Sequence, residues 1–264
     1  MNRILTIAGS DSGGGAGIQA DIKTASSLGC YSTSAITALT AQNTRGVYDV
    51  FPVSPQFVVE QIERILDDIG TDAIKIGMLH SAEIIEAVAR CLRRFEGIPI
   101  VLDPVMVSQS GNPLLESDAV WALREYLFPQ CTLITPNLHE ARELVGDRSP
   151  EESAKLILSM GPKAVLLKGG HGNPSTHPQA TDYLVEEHRS AYFSAPWIET
   201  KNTHGTGCTL SAAIAVYLAQ DYELFEAVSH GKKYLNQALQ KGSKMEIGQG
   251  SGPLCHHWRI LCES

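Results

Sequence analysis

Short, wholly apolar runs alternate with amphipathic segments along most of the chain, and this alternation constrains the fold more than any other feature. The runs are rich in Ile, Val and Leu, and they lack the period-two pattern of half-exposed strands, which is typical of strands buried on both faces. They span residues 4–8, 35–39, 73–76, 98–102, 132–134 and 164–167. Because parallel strands need long crossover connections, the pattern predicts a mostly parallel sheet with helices on both faces.

Helical periodicity fills the intervals between these runs and continues after them. The predicted helices span residues 16–28, 55–69, 81–95, 117–128, 138–145, 150–159, 206–219 and 223–240. Residues 183–187 and 190–194 predict a β-hairpin, and the polar segment 171–181 predicts a surface loop. No linker or internal repeat divides the sequence, so we expect residues 1–264 to form one α/β domain.

The charge balance limits the partners that the chain can bind. Lys and Arg number 21 and Asp and Glu number 29, which gives a formal net charge of −8 at pH 7. A negative chain is poorly suited to nucleic acid or to an anionic membrane surface, and we expect neither partner. The apolar runs are too short for a signal peptide or a membrane span, so we expect a cytoplasmic protein.

The six cysteines are scattered and include no CxxC pair. In the cytoplasm such thiols stay reduced, and most of them are expected to be small buried side chains. Cys255, His256, His257 and Cys262 lie close together in sequence, but their spacing matches no zinc site. We therefore predict that this tail packs on the fold.

A first glycine cluster, residues 9–17, directly follows the first predicted strand. It lacks the GxxxxGK[ST] pattern of a P-loop. Residues 15–20 match GxGxxA, but the match starts several residues after the strand, and the second strand is not followed by the acidic residue of a dinucleotide site. The cluster is either a plain turn into a helix or, as we predict, a backbone-lined loop that closes over a small ligand.

A second glycine cluster, residues 202–209, runs straight into a helix with an apolar face. The amides of Gly205, Thr206, Gly207 and Cys208 would lie at the helix N-terminus, where unpaired N–H donors and the helix dipole favour an anion. The same field would lower the pKa of the Cys208 thiol and favour the thiolate. The alternative is a glycine-rich helix start that carries a buried cysteine.

Polar side chains follow three of the predicted strands, where open parallel sheets bind their ligands. Asp103 follows the strand at 98–102, Asn137 and Glu140 come soon after the strand at 132–134, and Lys168 follows the strand at 164–167. Asp103 and Glu140 are carboxylates that can hold Mg²⁺, which usually takes one or two of them together with water and phosphate. Lys168 would supply a positive charge for a phosphate.

Several motifs together resemble a known family. They read AGSDSGGGAGIQADIKT, ALTAQNTRGV, KIGML, LDPVM, ITPNLHEA, LLKGGH and KNTHGTGCTLSAA. The chain is similar over nearly its whole length to the hydroxymethylpyrimidine/phosphomethylpyrimidine kinases of thiamine biosynthesis, within the ribokinase superfamily. The resemblance implies a three-layer α/β/α fold and two successive ATP-dependent phosphorylations, first of 4-amino-5-hydroxymethyl-2-methylpyrimidine and then of its monophosphate.

The resemblance also implies roles for individual residues. The pyrimidine would be held by Asp21, Gln42 and Met78, with Gly9 and Val105 lining the pocket. Asp and Gln suit an aminopyrimidine, which offers an amino donor beside a ring-nitrogen acceptor.

On the phosphate side, residues 205–208 would form the anion hole for the transferring group. Asp103, Asn137 and Glu140 would organise Mg²⁺ and the triphosphate of ATP, with Lys168 and Thr206 also on the nucleotide. Relatives of this kind are usually homodimers.

Cys208 stands where most ribokinase-type sugar kinases have an Asp that acts as the general base. The resemblance makes Cys208 the base, or a neighbour of the base, for the hydroxymethyl group. A weak base suffices because phosphoryl transfer depends mostly on positioning and on charge stabilisation. A neutral thiol would also tolerate an acceptor that is already a phosphate, whereas Asp would repel it.

Two other functions remain open from the sequence. A pyridoxine or pyridoxal kinase of the same cysteine-bearing type would also phosphorylate a hydroxymethyl group on a nitrogen heterocycle, although Gln42 and Met78 favour the pyrimidine. A vitamin-binding protein without catalysis would use the same scaffold. Four residues argue against it: Asp103, Glu140, Lys168 and Cys208.

Overall fold

In the computed structural model, which describes residues 1–106, 119–169 and 178–261, the apolar runs form the centre of one nine-stranded sheet. The strands are β1 (Arg3–Asp11), β2 (Tyr31–Asn43), β3 (Gly46–Pro52), β4 (Ala73–Ile76), β5 (Ile100–Leu102), β6 (Leu133–Ile134), β7 (Ala164–Leu167), β8 (Gln179–Glu186) and β9 (Ser190–Pro196). All six predicted runs and the predicted hairpin are present.

The strand order is β3-β2-β1-β4-β5-β6-β7-β8-β9. The six strands from β2 to β7 in this order are parallel. At the edges, β3 pairs antiparallel with β2, β8 pairs antiparallel with β7, and β9 pairs antiparallel with β8. The sequence prediction missed β3, whose residues are mostly exposed and lack an apolar run. Since the parallel strands share one direction, their carboxyl ends lie at one edge of the sheet.

The helices are α1 (Gly17–Ser27), α2 (Pro55–Asp68), α3 (Ala82–Leu92), α4 (Ala119–Ala122), α5 (Leu138–Val145), α6 (Pro150–Leu158), α7 (Thr206–Ala219), α8 (Leu224–Gly242) and α9 (Trp258–Leu261). Two of them, α5 and α7, have the predicted bounds. Among the described helices, none combines the length and apolar character that a membrane crossing requires.

The prediction of a regular helix over 117–128 was wrong in its second half. The short α4 passes into a π-helical turn, Leu123–Leu127, and then a 3₁₀ turn, Phe128–Gln130. Pro129 has no N–H and its ring crowds the carbonyl four residues earlier, so the regular α-helical bonds cannot continue to this point. Residues 117–118, and residues 171–177 of the predicted loop, lie outside the described residues.

Two apolar cores lie on opposite faces of the sheet. Successive strand residues contribute to different cores: Leu5 and Ile74 face the helices α2 to α6, whereas Ile4 and Ala73 face α1, α7 and α8. This alternation follows from the period of two in a strand. The predicted three-layer α/β/α fold with a mostly parallel sheet is therefore confirmed.

The helix α7 is buried on almost every side, since it packs between the sheet and α8 and also contacts α1. Small side chains such as Ala212, Ala213 and Ala215 permit this close packing. The first turn of α7 lies against the side chains that follow β5 and β7. The fold thus places the N-terminus of α7 at the carboxyl ends of the parallel strands.

Candidate active site

The first glycine loop is organised by a carboxylate at its start. Asp11 is buried, and its Oδ1 accepts a hydrogen bond from Gly13 N (2.7 Å) while its Oδ2 accepts from Gly15 N (2.9 Å) and Ala16 N (2.8 Å). Burial alone would raise the pKa of Asp11, but the bonds from His204 and from the loop amides outweigh it and lower the pKa below its usual value. The loop is a defined structure around an ionised side chain.

The structure brings the two glycine clusters into contact. Gly205 has a φ of 87°, and a Cβ at this position would overlap the carbonyl oxygen of Gly15. A Cβ on Gly15 would in turn lie 2.5 Å from the ring of His204. Only glycine satisfies both positions, so the two clusters form one joint rather than two separate turns.

The helix α7 begins at this joint with two N–H donors that have no partner among the described residues. Its N-cap is Gly205, which has no side chain to cap the helix, and the first helical bond runs from Thr209 N to Gly205 O (2.9 Å). The amides of Gly207 and Cys208 precede that bond, while Thr206 directs both its N–H and its hydroxyl to Thr203 O. Gly207 and Cys208 therefore present the N–H donors that suit an anion.

Cys208 differs from the sequence-based expectation in its protonation. Burial raises the pKa of its thiol to about 11, although the nearby Lys75 and a hydrogen bond from the Gly17 backbone act in the opposite direction. The carboxylates of Asp21 and Asp103 raise the pKa further. The expected thiolate was wrong: at neutral pH, Cys208 is a neutral thiol, because desolvation outweighs the helix dipole.

Lys168 and Asp103 lie against the first turn of α7. Lys168 Nζ is 2.6 Å from Asp103 Oδ1 and 4.0 Å from Glu140 Oε2. Burial would lower the pKa of Lys168, but these carboxylates raise it above its usual value. A Cβ on Gly207 would lie 3.1 Å from Asp103 Oδ2 and 3.2 Å from Lys168 Nζ. The ion pair and the open amides thus share one small region.

Asn137 and Glu140 form the capping box of α5. The Asn137 side chain accepts from His139 N and Glu140 N, and Glu140 Oε2 accepts from Asn137 N (2.7 Å). Burial raises the pKa of Glu140 to about 7. The charge of the nearby Asp103 also raises the pKa of Glu140, whereas Lys168, whose Nζ is 4.0 Å away, lowers it. The carboxyl groups of Asp103 and Glu140 both lie near the ammonium of Lys168. Such a pair suits Mg²⁺ that is held largely by water and phosphate.

Four of the residues expected around a pyrimidine lie on neighbouring strands or within three residues after them. A Cβ on Gly9 would approach Met78 Cε to 2.5 Å, so these two residues are in contact, and Met78 is buried. Val105 donates its N–H to the carbonyl of Asp103 (2.8 Å), which fixes its place after β5. Gln42 lies near the end of β2, half-buried.

Asp21 takes part in a buried ion pair that the sequence prediction missed. Its Oδ2 is 2.8 Å from Lys75 Nζ and 2.5 Å from the Thr6 hydroxyl, while its Oδ1 is buried without a partner within the described structure. Burial would lower the pKa of Lys75, but Asp21 raises it above its usual value. The available signal was a lysine inside the apolar run 73–76, because a wholly buried lysine is very costly unless it is paired.

His204 links Gln42 to the first glycine loop. Its Nε2 is 2.8 Å from Asp11 Oδ2 and 3.2 Å from Gln42 Nε2. The sequence prediction gave neither Asp11 nor His204 a role, because the two are far apart in the chain and no motif joins them. The structure therefore adds Asp11, His204 and Lys75 to the residues that surround the candidate site.

Comparison with known proteins gives a consistent set of relatives. The family model described as phosphomethylpyrimidine kinase matches residues 11–255. The chain is 47% identical to the hydroxymethylpyrimidine/phosphomethylpyrimidine kinase of Escherichia coli, over 97% of this chain and 98% of that protein. It is 46% identical to a thiamine biosynthesis bifunctional protein of Geobacter sulfurreducens, covering 96% of this chain but only 52% of that protein.

A solved structure shares the whole fold. An ADP complex of Bacillus subtilis pyridoxal kinase superposes with a TM-score of 0.88 at 36% identity, over 99% of each chain. The relatives thus include kinases named for either of two heterocycles.

Proposed function

Since this chain belongs to the phosphomethylpyrimidine kinase family, we propose that it transfers phosphoryl groups from ATP to 4-amino-5-hydroxymethyl-2-methylpyrimidine and then to the resulting monophosphate, in thiamine biosynthesis. The family that the sequence motifs indicated is confirmed by these matches. One structural observation carries the proposal: the open amides of Gly207 and Cys208 lie beside the Lys168–Asp103 pair, at the joint of the two glycine loops.

The phosphate side of the site is built from backbone donors and one cation. The N-terminal amides of α7 receive the transferring phosphoryl group, where they stabilise charge that develops in the transition state. Lys168 exchanges part of its contact with Asp103 for the phosphates of ATP. Thr206 and Asn137 also contact the nucleotide. Because phosphoryl transfer needs little covalent help from the protein, this positioning supplies most of the catalysis.

Mg²⁺ belongs to the proposal, since Asp103 and Glu140 provide two carboxyl groups near Lys168. The ion would offset the negative charge of the phosphates when it is bound there. Loss of the proton from Glu140, whose pKa burial raises to about 7, would prepare that carboxylate for the cation.

On the acceptor side, Gln42, Asp21 and Met78 hold the pyrimidine, with Gly9 and Val105 lining the pocket. The unpartnered Oδ1 of Asp21 supports this role, because a buried acceptor without a donor is costly and a substrate N–H would satisfy it. Cys208 faces the hydroxymethyl group as a neutral thiol. A neutral group at this position imposes no repulsion when the acceptor is the monophosphate.

A second candidate function is pyridoxal kinase activity, which the superposition on the Bacillus subtilis enzyme favours. The discriminating experiment measures ADP release with the aminopyrimidine alcohol or with pyridoxal as the acceptor, with Mg²⁺ or with excess EDTA. We expect faster release with the pyrimidine, and dependence on Mg²⁺. Faster release with pyridoxal would favour the second function, and no ADP with either acceptor would support a binding protein without catalysis.

We further propose that residues 1–264 form a single domain that works as a homodimer in the cytoplasm. One sheet carries both cores, which supports the single domain. The edge strand β3 exposes Tyr48 and Phe51 at 68% and 70%, and exposed aromatic side chains on a sheet edge are typical of a surface covered by another chain. Sedimentation equilibrium tests this proposal, and a monomer mass at micromolar concentration would contradict the dimer.

A further inference from the structure

The side-chain amide of Gln42 lies between two polar groups, each tied to another part of the site. Its Oε1 is 3.2 Å from the Thr40 hydroxyl oxygen, and its Nε2 is 3.2 Å from His204 Nε2. Thr40 Oγ1 is also 2.9 Å from the carbonyl oxygen of Ser10, and His204 Nε2 is 2.8 Å from Asp11 Oδ2. Both neighbours of the amide are therefore held by β1 and by the residue that ends it.

Proton counting determines what these neighbours offer to the amide. Thr40 has one hydroxyl proton, and the Ser10 carbonyl oxygen (2.9 Å) lies closer to Thr40 Oγ1 than Gln42 Oε1 does (3.2 Å), so the proton bonds mainly to Ser10 and Thr40 offers Gln42 a lone pair. Asp11 is ionised, since it accepts three loop amides and its pKa is lowered, so His204 Nε2 must carry a proton toward it. The main acceptor of this N–H is Asp11, and toward Gln42 it offers the weaker branch of a shared hydrogen bond rather than a lone pair.

In the arrangement observed, the Gln42 amide is mismatched with both neighbours. Its Oε1 lies against a lone pair of Thr40, and its Nε2 lies against the N–H of His204. A half-turn about the last side-chain bond exchanges the two atoms and removes both conflicts. Nε2 then donates to Thr40, and Oε1 accepts from the proton that His204 shares with Asp11. One N–H and one lone pair of the Gln42 amide stay free for a ligand.

The order of these two free groups matters for a bound ring. The hydroxymethyl group of the acceptor has to face the N-terminus of α7, so the ring cannot turn over to suit the amide. A ring nitrogen beside an amino group needs a donor and an acceptor in one order, and a heterocycle with a hydroxyl and no amino group, such as pyridoxal, lacks this pattern.

We propose that Thr40 and the Asp11–His204 pair are positioning residues that fix the orientation of the Gln42 amide, and that this orientation selects an amino-substituted ring over pyridoxal. The inference rests on the proposed function and deepens it by assigning the substrate selectivity to three residues outside the pyrimidine contacts. The same pair joins the ring pocket to the anion hole, because His204 directly precedes Gly205.

The test compares three variants with the wild-type enzyme. His204→Phe keeps a ring against Gly15 but removes the donor. Thr40→Val removes the hydroxyl and suits a strand, and Thr40→Ser keeps the hydroxyl as the matched control. Values of kcat/KM for the aminopyrimidine alcohol and for pyridoxal are measured at saturating ATP, together with KM for each acceptor and for ATP.

We expect His204→Phe and Thr40→Val to lower the ratio of the two kcat/KM values, pyrimidine over pyridoxal, by about tenfold or more, because a mismatched polar contact costs about that much. Thr40→Ser should keep the ratio within about twofold, and KM for ATP should stay within about twofold in all variants. Where pyridoxal turnover is too slow to measure, the rise of the pyrimidine KM against a constant ATP KM is the readout.

An unchanged ratio in Thr40→Val, or an ATP KM that rises with the pyrimidine KM, would overturn the inference in favour of a purely structural role. If His204→Phe fails to fold, the comparison of Thr40→Val with Thr40→Ser still tests the inference. Nitrogen-15 NMR of the wild-type protein gives a readout independent of turnover: we expect a protonated Nε2 on His204 at pH 8, and an unprotonated Nε2 would also overturn it. A wild-type enzyme that ignores the pyrimidine would instead refute the proposed function, and the inference with it.

Discussion

Cys208 illustrates how strongly the chemistry of one residue depends on the groups that the fold places around it. Its position at the start of α7 is predicted by the glycine pattern before it, and the structure has that helix start at Thr206. Its protonation is not predictable in this way, because the pKa is raised to about 11 by burial and by two carboxylates that come from other parts of the chain. A local dipole is a weaker influence than desolvation.

Because Cys208 is neutral, adding a negative charge at this position should change the rates of the two phosphorylations differently. Cys208→Asp would place a carboxylate close to Asp21 and Asp103, and it would repel a phosphorylated acceptor more than the free alcohol. We expect the rate with the monophosphate to fall at least about tenfold more than the rate with the alcohol, which corresponds to ~1.4 kcal/mol.

Single-turnover rates with each acceptor measure this difference. Cys208→Ser is the matched control, since it stays neutral and should keep the ratio of the two rates near that of the wild type. Equal losses with both acceptors in Cys208→Asp would show that charge at residue 208 does not govern the second phosphorylation.

At the scale of elements, the prediction succeeds where local signals and packing agree. The capping box of α5 and the glycine start of α7 mark helix ends in the sequence, and both helices have the predicted bounds. The edge strand β3 was missed because only its pairing with β2 makes it a strand. The contact between the two glycine clusters was also beyond local reasoning, since it joins residues nearly two hundred positions apart.

The joint of the glycine clusters predicts different effects for two glycines with the same backbone conformation. Gly205 and Gly97 have φ angles of 87° and 86°, but a Cβ on Gly97 meets nothing within 4 Å, whereas one on Gly205 overlaps Gly15 O. Both alanine variants incur backbone strain of about 1–2 kcal/mol. We expect Gly205→Ala alone to lose a further ~2 kcal/mol or more, because a backbone atom cannot move aside easily.

Urea unfolding of the two variants and their kinase rates check this prediction. Gly97→Ala should retain its kcat, while Gly205→Ala should lose at least about tenfold in kcat because the anion hole shifts. Equal stability of the two variants would mean that the contact between Gly15 and Gly205 is not tight in solution.

At the scale of the whole molecule, the tail after α8 closes the fold over α7. His256 is buried, and its Nε2 lies 3.0 Å from the Thr209 hydroxyl, which supports the predicted packing of this tail. Within the described parts of the chain, no group of three or more His, Cys, Asp and Glu side chains is arranged to hold a metal ion, and Cys262 lies outside those parts. The sequence could exclude a zinc spacing, but only the fold shows which element the histidine packs against.

This buried histidine makes the stability of the protein depend on pH. Burial, with repulsion from Lys23, His257 and His204, lowers the pKa of His256 from 6.5 to about 4. Since the unfolded chain takes up the proton first, the stabilisation is complete above pH 6.5 and is lost as the pH falls toward 4. We expect a loss of up to ~3 kcal/mol from this residue.

The free energy of unfolding of wild type and His256→Gln, measured at pH 7.5 and at pH 4.5, tests this contribution. The gap between the two proteins should narrow at the lower pH, because the variant has no imidazole to protonate. His188→Gln is the control, since His188 is 87% exposed and should not alter the dependence. A constant gap across this range would contradict a buried neutral His256.

Net charge is a property of the whole molecule, and it does not describe the charges around the candidate site. The chain carries −8, yet the first amides of α7 and the ammonium of Lys168, which is paired with Asp103, offer donors to a phosphate at the carboxyl ends of the strands. The expectation of no nucleic-acid partner stays a prediction from the acidic composition, and that composition says little about a small phosphate ligand.

In the proposed reaction, one site phosphorylates first an alcohol and then its phosphate. The most direct measurement follows ATP consumption and the phosphorus-31 NMR spectrum while a limiting amount of 4-amino-5-hydroxymethyl-2-methylpyrimidine is turned over with Mg²⁺. We expect two ATP to be consumed per pyrimidine, with a monophosphate that appears and is then replaced by the diphosphate. A reaction that stops at one ATP and the monophosphate, or that consumes no ATP, would contradict it.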